Sequence, residues 1–168
     1  MMIAAFDVQY LEEGCTAAAV LFSQYSDAAP TAGYTHFLSG AADYIPGEFY
    51  RRELPGIHSL LEQISDVPDE MIIDGYVMLG NKPGLGQHLF KALDGKIPII
   101  GVAKSKFRGA CGTKIYRGGS KHPLYITSAG VDLQKASEKI RRMHGDHRIP
   151  TLLKRVDHFA REKDKMHA

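Results

Sequence analysis

At 168 residues the chain is long enough for one domain with a full hydrophobic core and too short for two comfortable ones. Its hydrophobic share of 44% and charged share of 24% are those of a globular protein, and a net charge of +2 permits a nucleic-acid partner without requiring one. Two cysteines without CxxC spacing exclude a disulfide framework and a zinc or redox motif.

The N-terminal residues predict a strand rather than a targeting signal. Residues 2–8 are mostly apolar strand formers, and Asp7 stands at the expected end of this strand with no basic residues before it. No stretch approaches the ~18 apolar residues of a membrane span, so we expect a cytoplasmic protein without membrane contact. After a polar turn, residues 16–24 predict a second strand antiparallel to the first, and residues 34–38 a third.

The next segment changes from strand to helix. From Glu48 to Ile64, apolar residues recur at helical spacing, and we expect Pro55 and Gly56 to interrupt or restart this helix. Residues 71–74, 86–93 and 97–103 then read as strand, helix and strand. A unit of about 30 residues with this pattern predicts a right-handed crossover between two parallel strands.

The last third predicts a hairpin and two helices. Its expected elements are strands at 114–116 and 124–127, a helix from 133 to about 144 that Asp132 caps, and a helix that Pro150 opens. Together the elements predict one α/β domain over residues 1–168, with a frayed tail at 162–168. Its mixed sheet would have three antiparallel strands first, parallel strands later and helices at its sides.

Acidic residues at strand ends suggest a metal site. Asp7 ends the first strand and Asp74 the fourth, and ligands of open α/β sheets bind at the carboxyl ends of strands. Glu53 is a third candidate, and such oxygen ligands suit Mg²⁺ or Mn²⁺. Lys104 follows a buried strand at the same edge, where an ammonium can stabilise charge on a phosphate. Taken singly, each of these residues has an ordinary alternative role: Asp7 as a turn former, Asp74 as a cap for the loop at Gly75, and Glu53 and Lys104 as solvated charges.

Five sequence blocks occur in the order of a known family. They are FDVQY at 6–10, YIPGEFYRRE at 44–53, IIDG at 72–75, PGLG at 83–86 and IGVAKS at 100–105. On these blocks the chain resembles endonuclease V, the deoxyinosine-directed repair nuclease with a ribonuclease H-like fold. Residues 121–136 and 148–161 resemble the family's C-terminal portion, so the resemblance covers nearly the whole chain.

The resemblance implies a metal-dependent nuclease. Asp7 and Asp74 match the family's two principal metal-ligand aspartates, and Glu53 matches the third acid of the cluster. Lys104 matches the lysine near the scissile phosphate, and Asp157 falls where the family has an Asp or His in its last helix. The implied reaction is Mg²⁺-dependent hydrolysis near inosine in DNA, with Mn²⁺ as a substitute. It would leave a 3′-hydroxyl and a 5′-phosphate. Apart from the resemblance, we expect the protein to be a monomer.

The resemblance also implies two nucleic-acid contacts. One is a wedge that enters DNA at a lesion, and the other is a glycine-rich loop near the recognised base, where glycines allow a close backbone approach. The wedge residues are Tyr44, Ile45, Pro46 and Gly47, and the loop residues are Lys82, Gly84, Leu85 and Gly86.

Some positions depart from the family pattern. The family's run DGHG reads DGYV here, both loop histidines are absent, and Asn81 and Lys82 stand near the second. Asp43 and Glu48 flank the wedge, and acids there oppose phosphate binding. Family members usually carry a helical segment before the first strand, whereas this sequence starts almost at the strand. An impaired nucleic-acid-binding domain of the same fold therefore stays open, as does an inosine-directed ribonuclease.

Two further sequence patterns bear on the choice of ligand. Six basic residues within 18 positions favour a polynucleotide partner, or equally a solvated hairpin face. They are Lys104, Lys106, Arg108, Lys114, Arg117 and Lys121. The spacing of Gly80, Gly84 and Gly86 does not give the GxGxxG fingerprint of a dinucleotide site.

Overall fold

In the part of the chain that the structure describes, a seven-stranded mixed sheet forms the centre of the protein, with two helices on each face. The computed structural model describes residues 1–11, 13–40, 50–109 and 112–162, and the backbone alone at Arg52. The strands of the sheet are β1 (Ile3–Leu11), β2 (Gly14–Phe22), β3 (Ala32–Ser39), β4 (Glu70–Asp74), β7 (Ile99–Ala103), β8 (Thr113–Ile115) and β9 (Leu124–Ala129). The helices are α1 (Tyr50–Gln63), α2 (Leu85–Ala92), α3 (Leu133–Arg141) and α4 (Thr151–Arg161), and β5 (Met78–Leu79) pairs with β6 (Lys82–Pro83) in a small separate ribbon.

The strand order, β3-β2-β1-β4-β7-β9-β8, confirms the antiparallel start and the parallel crossover. β1, β2 and β3 pair antiparallel, and β4 pairs parallel to both β1 and β7. The predicted parallel pair of the later strands is β4 with β7, and the predicted hairpin, β8 with β9, joins the sheet with β9 antiparallel to β7. A strand parallel to β7 would need a crossover connection, usually a helix, and the described residues between β7 and β8 form none. The chain instead forms the antiparallel β8–β9 hairpin.

Asp7 lies inside β1 and does not end it, which corrects the predicted boundary. β1 continues to Leu11 because its distal half stays paired with β2, as far as Leu11 opposite Gly14. Its pairing with β4 stops earlier, at Phe6 opposite Ile73. Asp7 therefore stands at the point where β1 separates from β4.

Helix α1 continues through Pro55 and Gly56, so the predicted interruption is wrong. Pro55 is exposed, and water can satisfy the carbonyl that loses its partner one turn earlier. Gly56 has a packing role, because a Cβ atom at this position would lie 2.9 Å from Cβ of Ala17 on β2. The helix therefore approaches the sheet closely at its glycine.

The C-terminal helices begin where the sequence predicts. Asp132 caps α3 by accepting a hydrogen bond from the backbone N of Lys135 at 3.0 Å, and Pro150 precedes α4. Helix α3 is shorter than expected and ends at Arg141. No helix of the described residues is long and apolar enough to cross a membrane.

The sheet separates two hydrophobic layers. Helices α1 and α2 pack against one face, with Phe6, Ile73 and the buried Cys15 in that layer. Helices α3 and α4 pack against the other face, which includes Ala5, Ile72 and Val102. Because side chains alternate along a strand, residues two positions beyond these three point to the α3/α4 side. Those residues are Asp7, Asp74 and Lys104.

Candidate active site

The strand register places Asp7 beside Asp74 at one edge of the sheet. Phe6 is the last residue of β1 paired with β4, and its partner is Ile73, so the two aspartates follow directly on neighbouring strands. Asp74 in turn pairs with Val102 of β7, two residues before Lys104. The Lys104 Nζ atom lies 3.7 Å from Oδ2 of Asp74, and both side chains are about two-fifths exposed (39% and 41%).

Helix α4 brings Asp157 to the same edge. Its Oδ1 accepts a hydrogen bond from Nε2 of Gln9 at 3.3 Å, and its Oδ2 accepts one from Nε of Arg161 at 2.9 Å. Burial raises the pKa of Asp157, but its interaction with the neighbouring Asp7 carboxyl, the hydrogen bond from Arg161 and the charge of Lys104 outweigh this effect. The pKa of Asp157 therefore lies below its usual range, and Asp157 stays ionised.

Asp7 is the carboxylate of the cluster that is protonated most readily. Burial and the nearby charges of Asp74 and Asp157 raise its pKa to about 8. Its Oδ1 accepts the backbone N–H of Val8 at 2.9 Å, whereas its buried Oδ2 has no donor among the described residues. Desolvation also raises the pKa of Asp74, although Lys104 opposes this. Without a further cation, the cluster therefore retains a proton near neutral pH.

A small apolar pocket beneath these side chains explains the desolvation. It is lined by side chains from β1, β4, β7 and α4 and by the segment just before α4, including Ile149, Pro150 and Leu153. Apolar walls exclude water from one side of the Asp7 carboxyl. A low-dielectric wall also strengthens every charge interaction at the mouth of the pocket.

Glu53 lies on the opposite side of β1 from Asp7. It belongs to α1, and its Oε1 accepts a hydrogen bond from the Tyr10 hydroxyl at 2.6 Å. Tyr10 packs against the α1/α2 layer, whereas Asp7 faces α4. Within the described ranges, no three His, Cys, Asp or Glu side chains are arranged as a metal site. The structure thus brings Asp7, Asp74, Lys104 and Asp157 together and leaves Glu53 with Tyr10.

The PGLG turn packs on the turn that follows Asp74. The backbone N of Gly84 donates to Val77 O at 2.8 Å, and that of Gly86 donates to Tyr76 O at 3.2 Å. A Cβ atom at either glycine would come within 2.6 Å of this segment, and Leu85 is buried in the α1/α2 layer. The close approach that these glycines permit is therefore to the chain itself, while Lys82 is exposed. The predicted wedge, Tyr44 to Gly47, lies outside the described residues.

Several residues around the site were not predicted. Gln9 stands two positions after Asp7 on the same strand face, and Arg161 stands one helical turn after Asp157, so both spacings could have indicated them. No comparable pattern indicates Tyr76 or Arg148, whose contacts with the loop after Lys104 join distant segments.

Arg117 does not belong to the basic surface that the sequence suggested. It is 7% exposed, and its guanidinium donates to the carbonyls of Met143, Gly145, His147 and Arg148. Burial lowers its pKa. Its contacts are structural and lie inside the protein.

Comparison with known proteins now decides the family. Residues 1–130 match the family model for endonuclease V, which covers more than half of the chain. The chain belongs to the endonuclease V family. Endonuclease V of Nostoc punctiforme is 29% identical over 143 residues, which span 71% of this chain and 63% of that relative. Endonuclease V of Xanthomonas oryzae pv. oryzae (strain PXO99A) is 27% identical over 191 residues, which span 99% of this chain and 79% of that relative.

Solved endonuclease V structures share the fold. Human ENDOV superposes with a TM-score of 0.81 at 20% identity, covering 99% of this chain and 86% of that one. Ciona intestinalis endonuclease V, in complex with a 24mer DNA containing an inosine followed by a ribo-adenosine, gives a TM-score of 0.82 at 17% identity and covers 99% and 87%. The ribonuclease H-like mixed sheet and the family resemblance are therefore confirmed.

Proposed function

We propose that this endonuclease V-family chain is a metal-dependent endonuclease that hydrolyses a phosphodiester bond near deaminated bases, such as inosine, in DNA. One observation carries the proposal: the register places Asp7 and Asp74 side by side, with the Lys104 amine 3.7 Å from Asp74. The inosine-containing DNA bound by the Ciona relative supports the substrate class.

The donor set of the site fits a divalent cation. Asp7 has a buried carboxylate oxygen without a donor in the described structure, and a cation there would oppose the effect of burial and of the charges of Asp74 and Asp157, which raise its pKa. Mg²⁺ is commonly held by one or two carboxylates and several waters, which is what Asp7 and Asp74 offer. When bound, Mg²⁺, or Mn²⁺ in its place, would polarise the phosphodiester and lower the pKa of a water molecule. The role of Glu53 rests on the family pattern alone.

The remaining residues would handle the phosphate and the water. The Lys104 ammonium stabilises negative charge that develops on the phosphate oxygens. Asp157, held by Gln9 and Arg161, is an ionised acceptor at the same edge and would orient the attacking water. The segment Tyr44–Ile45–Pro46–Gly47 and the exposed Lys82 would contact the nucleic acid, whereas Gly84, Leu85 and Gly86 would support this loop from within the protein.

The proposal is tested with a labelled duplex that contains one inosine. We expect a single nick in Mg²⁺ with a 3′-hydroxyl and a 5′-phosphate, none in EDTA, and loss of nicking in Asp7→Asn and Asp74→Asn. Asp94→Asn is the matched control, because Asp94 is an exposed loop residue at φ +57°, a conformation that Asn tolerates well. Cleavage at the native rate by both site variants would exclude this site.

The same assay separates the two alternatives. An inosine-containing RNA of the same sequence tests for a ribonuclease, and preferential cleavage of it would move the substrate class to RNA. Retention of the duplex in a gel without any nick, in either Mg²⁺ or Mn²⁺, would indicate a binding domain. The absence of the two loop histidines is the reason to consider a binding domain without catalytic activity.

A further inference from the structure

The loop after β7 carries Lys104, and its side chain turns back to Asp74 on the neighbouring strand. A lysine side chain is long and flexible, and this one is 39% exposed. Its amine stays near one point only if the backbone that carries it is fixed. Two side chains from separate parts of the chain contact residues 104–107 and can fix it.

The first is Tyr76, which stands two residues after Asp74. Its hydroxyl donates to Ser105 O at 2.8 Å and accepts from the backbone N of Phe107 at 3.2 Å. The tyrosine is 8% exposed, and its ring lies 6.5 Å from that of Tyr125. Tyr76 therefore ties the lysine loop to the same turn that carries the aspartate which Lys104 contacts.

The second is Arg148, which precedes α4. Its Nη2 donates to Lys104 O and, at 2.9 Å, to Pro123 O, while its Nε donates to His122 O at 3.0 Å. A planar guanidinium holds several carbonyls in a fixed arrangement, which a lysine ammonium cannot reproduce. Arg148 thus joins the lysine loop to the β8–β9 connection.

We propose that Tyr76 and Arg148 are positioning residues that clamp residues 104–107 from two sides and so hold the Lys104 amine at Asp74. The inference rests on the proposed role of Lys104 and adds which residues hold the backbone of Lys104 in place. The clamp links the lysine to the turn after β4 and to the segment before α4.

The rate test uses Tyr76→Phe, which removes only the hydroxyl, and Arg148→Lys, which keeps the charge. Under single-turnover conditions on the inosine duplex we expect each to lower the cleavage rate about tenfold while duplex binding changes less than about twofold. Tyr125→Phe and Arg141→Lys are the matched controls. Tyr125 has no hydrogen bond to residues 105–107 in the described structure, and Arg141 forms an exposed ion pair with Glu138 on α3.

A double-mutant cycle separates positioning from general destabilisation. In a Lys104→Ala background, Tyr76→Phe should cause no further loss, because the group that it positions is gone. An equal loss in both backgrounds would overturn the inference, as would a native rate in Tyr76→Phe. Circular dichroism melting curves verify that each variant is folded.

A second readout does not depend on cleavage. In the substrate-free protein, the amide of Phe107 should exchange with solvent at least about tenfold faster in Tyr76→Phe than in Tyr125→Phe, because its acceptor is removed. Unchanged exchange would overturn the clamp even if the enzyme cleaves as proposed. Fast exchange together with a native rate in Lys104→Ala would instead refute the proposed role of Lys104.

Discussion

Asp7 is a buried carboxylate next to two others, and this placement makes the folded state sensitive to pH. Its pKa lies near 8 in the folded protein, against 3.8 as the ordinary value, chiefly because of burial. Between these two values the folded protein holds a proton that the unfolded chain releases. Since the native state binds more protons there, the free energy of unfolding of the metal-free protein falls as the pH rises from about 4 to about 8.

This sign predicts the behaviour of Asp7→Asn. The neutral amide has the same shape and cannot ionise, so the metal-free variant should melt at a higher temperature than the native protein at about pH 9. The difference should vanish below about pH 4, where the native Asp7 keeps its proton. Melting curves in EDTA across this range measure it, with Asp94→Asn as the control. Parallel curves at all pH values would contradict the electrostatic description of Asp7.

A bound cation should offset the loss of folding stability that ionised Asp7 causes at high pH. A ligand that binds only the folded state at a hundred times its Kd stabilises it by about 2.7 kcal/mol. We therefore expect Mg²⁺ to raise the melting temperature of the native protein above about pH 8, and to raise that of Asp7→Asn much less. Na⁺ at matched ionic strength controls for screening. Equal shifts in both proteins would show that the cation acts elsewhere.

At this scale the sequence indicated most of the cluster. Asp7 lies within an apolar strand, Asp74 ends one and Lys104 follows one, and alternation along those strands assigns all three side chains to one face. Glu53 could not be assigned in this way, because the side from which α1 reaches the strand edge depends on helix packing. The Tyr10 contact is visible only in the folded chain.

Among the elements, α1 shows how packing overrides a local signal. Pro55 and Gly56 favour a break by propensity, since glycine alone costs about 1 kcal/mol in a helix interior. The helix nevertheless continues, because its apolar residues Ile57 and Leu60, with Ile64 just after its end, are buried against the sheet. Gly56 is the position that lets the helix come close to Ala17.

Gly56→Ala should therefore destabilise the protein although alanine favours the helix. The added Cβ would lie 2.9 Å from Cβ of Ala17, so α1 must move away from β2. Overpacking of this kind typically costs about 1–3 kcal/mol. Urea unfolding measures the change, and Glu62→Ala, on the exposed side of the same helix, is the control. A gain in stability from Gly56→Ala would show that the space between α1 and β2 accommodates the added methyl group.

The sequence predicts some strand directions but not others. Short turns at β1–β2 and β8–β9 require antiparallel pairs, and a strand–helix–strand run requires a parallel pair, so these pairings were predicted correctly. The position of β9 beside β7 involves no local turn between the two. It depends on the path of residues 104–112, and no periodic pattern in that segment reveals it.

At the scale of the whole molecule, the site requires β1, β4, β7 and α4 to meet at one edge. The first three are fixed by the sheet, but α4 arrives from a connection, residues 142–150, that lies outside it. Arg117, which follows β8, donates four hydrogen bonds to carbonyls of this connection, at 2.6 to 3.3 Å. Gly118 lies against the same connection, where a Cβ atom would come 2.5 Å from Asp146 O.

Arg117→Gln should therefore loosen the approach of α4, and with it the placement of Asp157 and Arg148. A hydrogen bond to a charged group typically contributes about 1.5–3 kcal/mol, and the buried carbonyls would lose their donor, so we expect a loss of about 3 kcal/mol. For a protein of this size that corresponds to a fall in melting temperature of about 6–12 °C. Arg142→Gln, at an exposed position after α3, should change the melting temperature by less than about 2 °C.

If both variants melt at the same temperature, water satisfies the carbonyls and α4 is held by its apolar face alone. If Arg117→Gln melts early and also loses cleavage at a temperature where it is still folded, the connection positions the site as well as stabilising the fold.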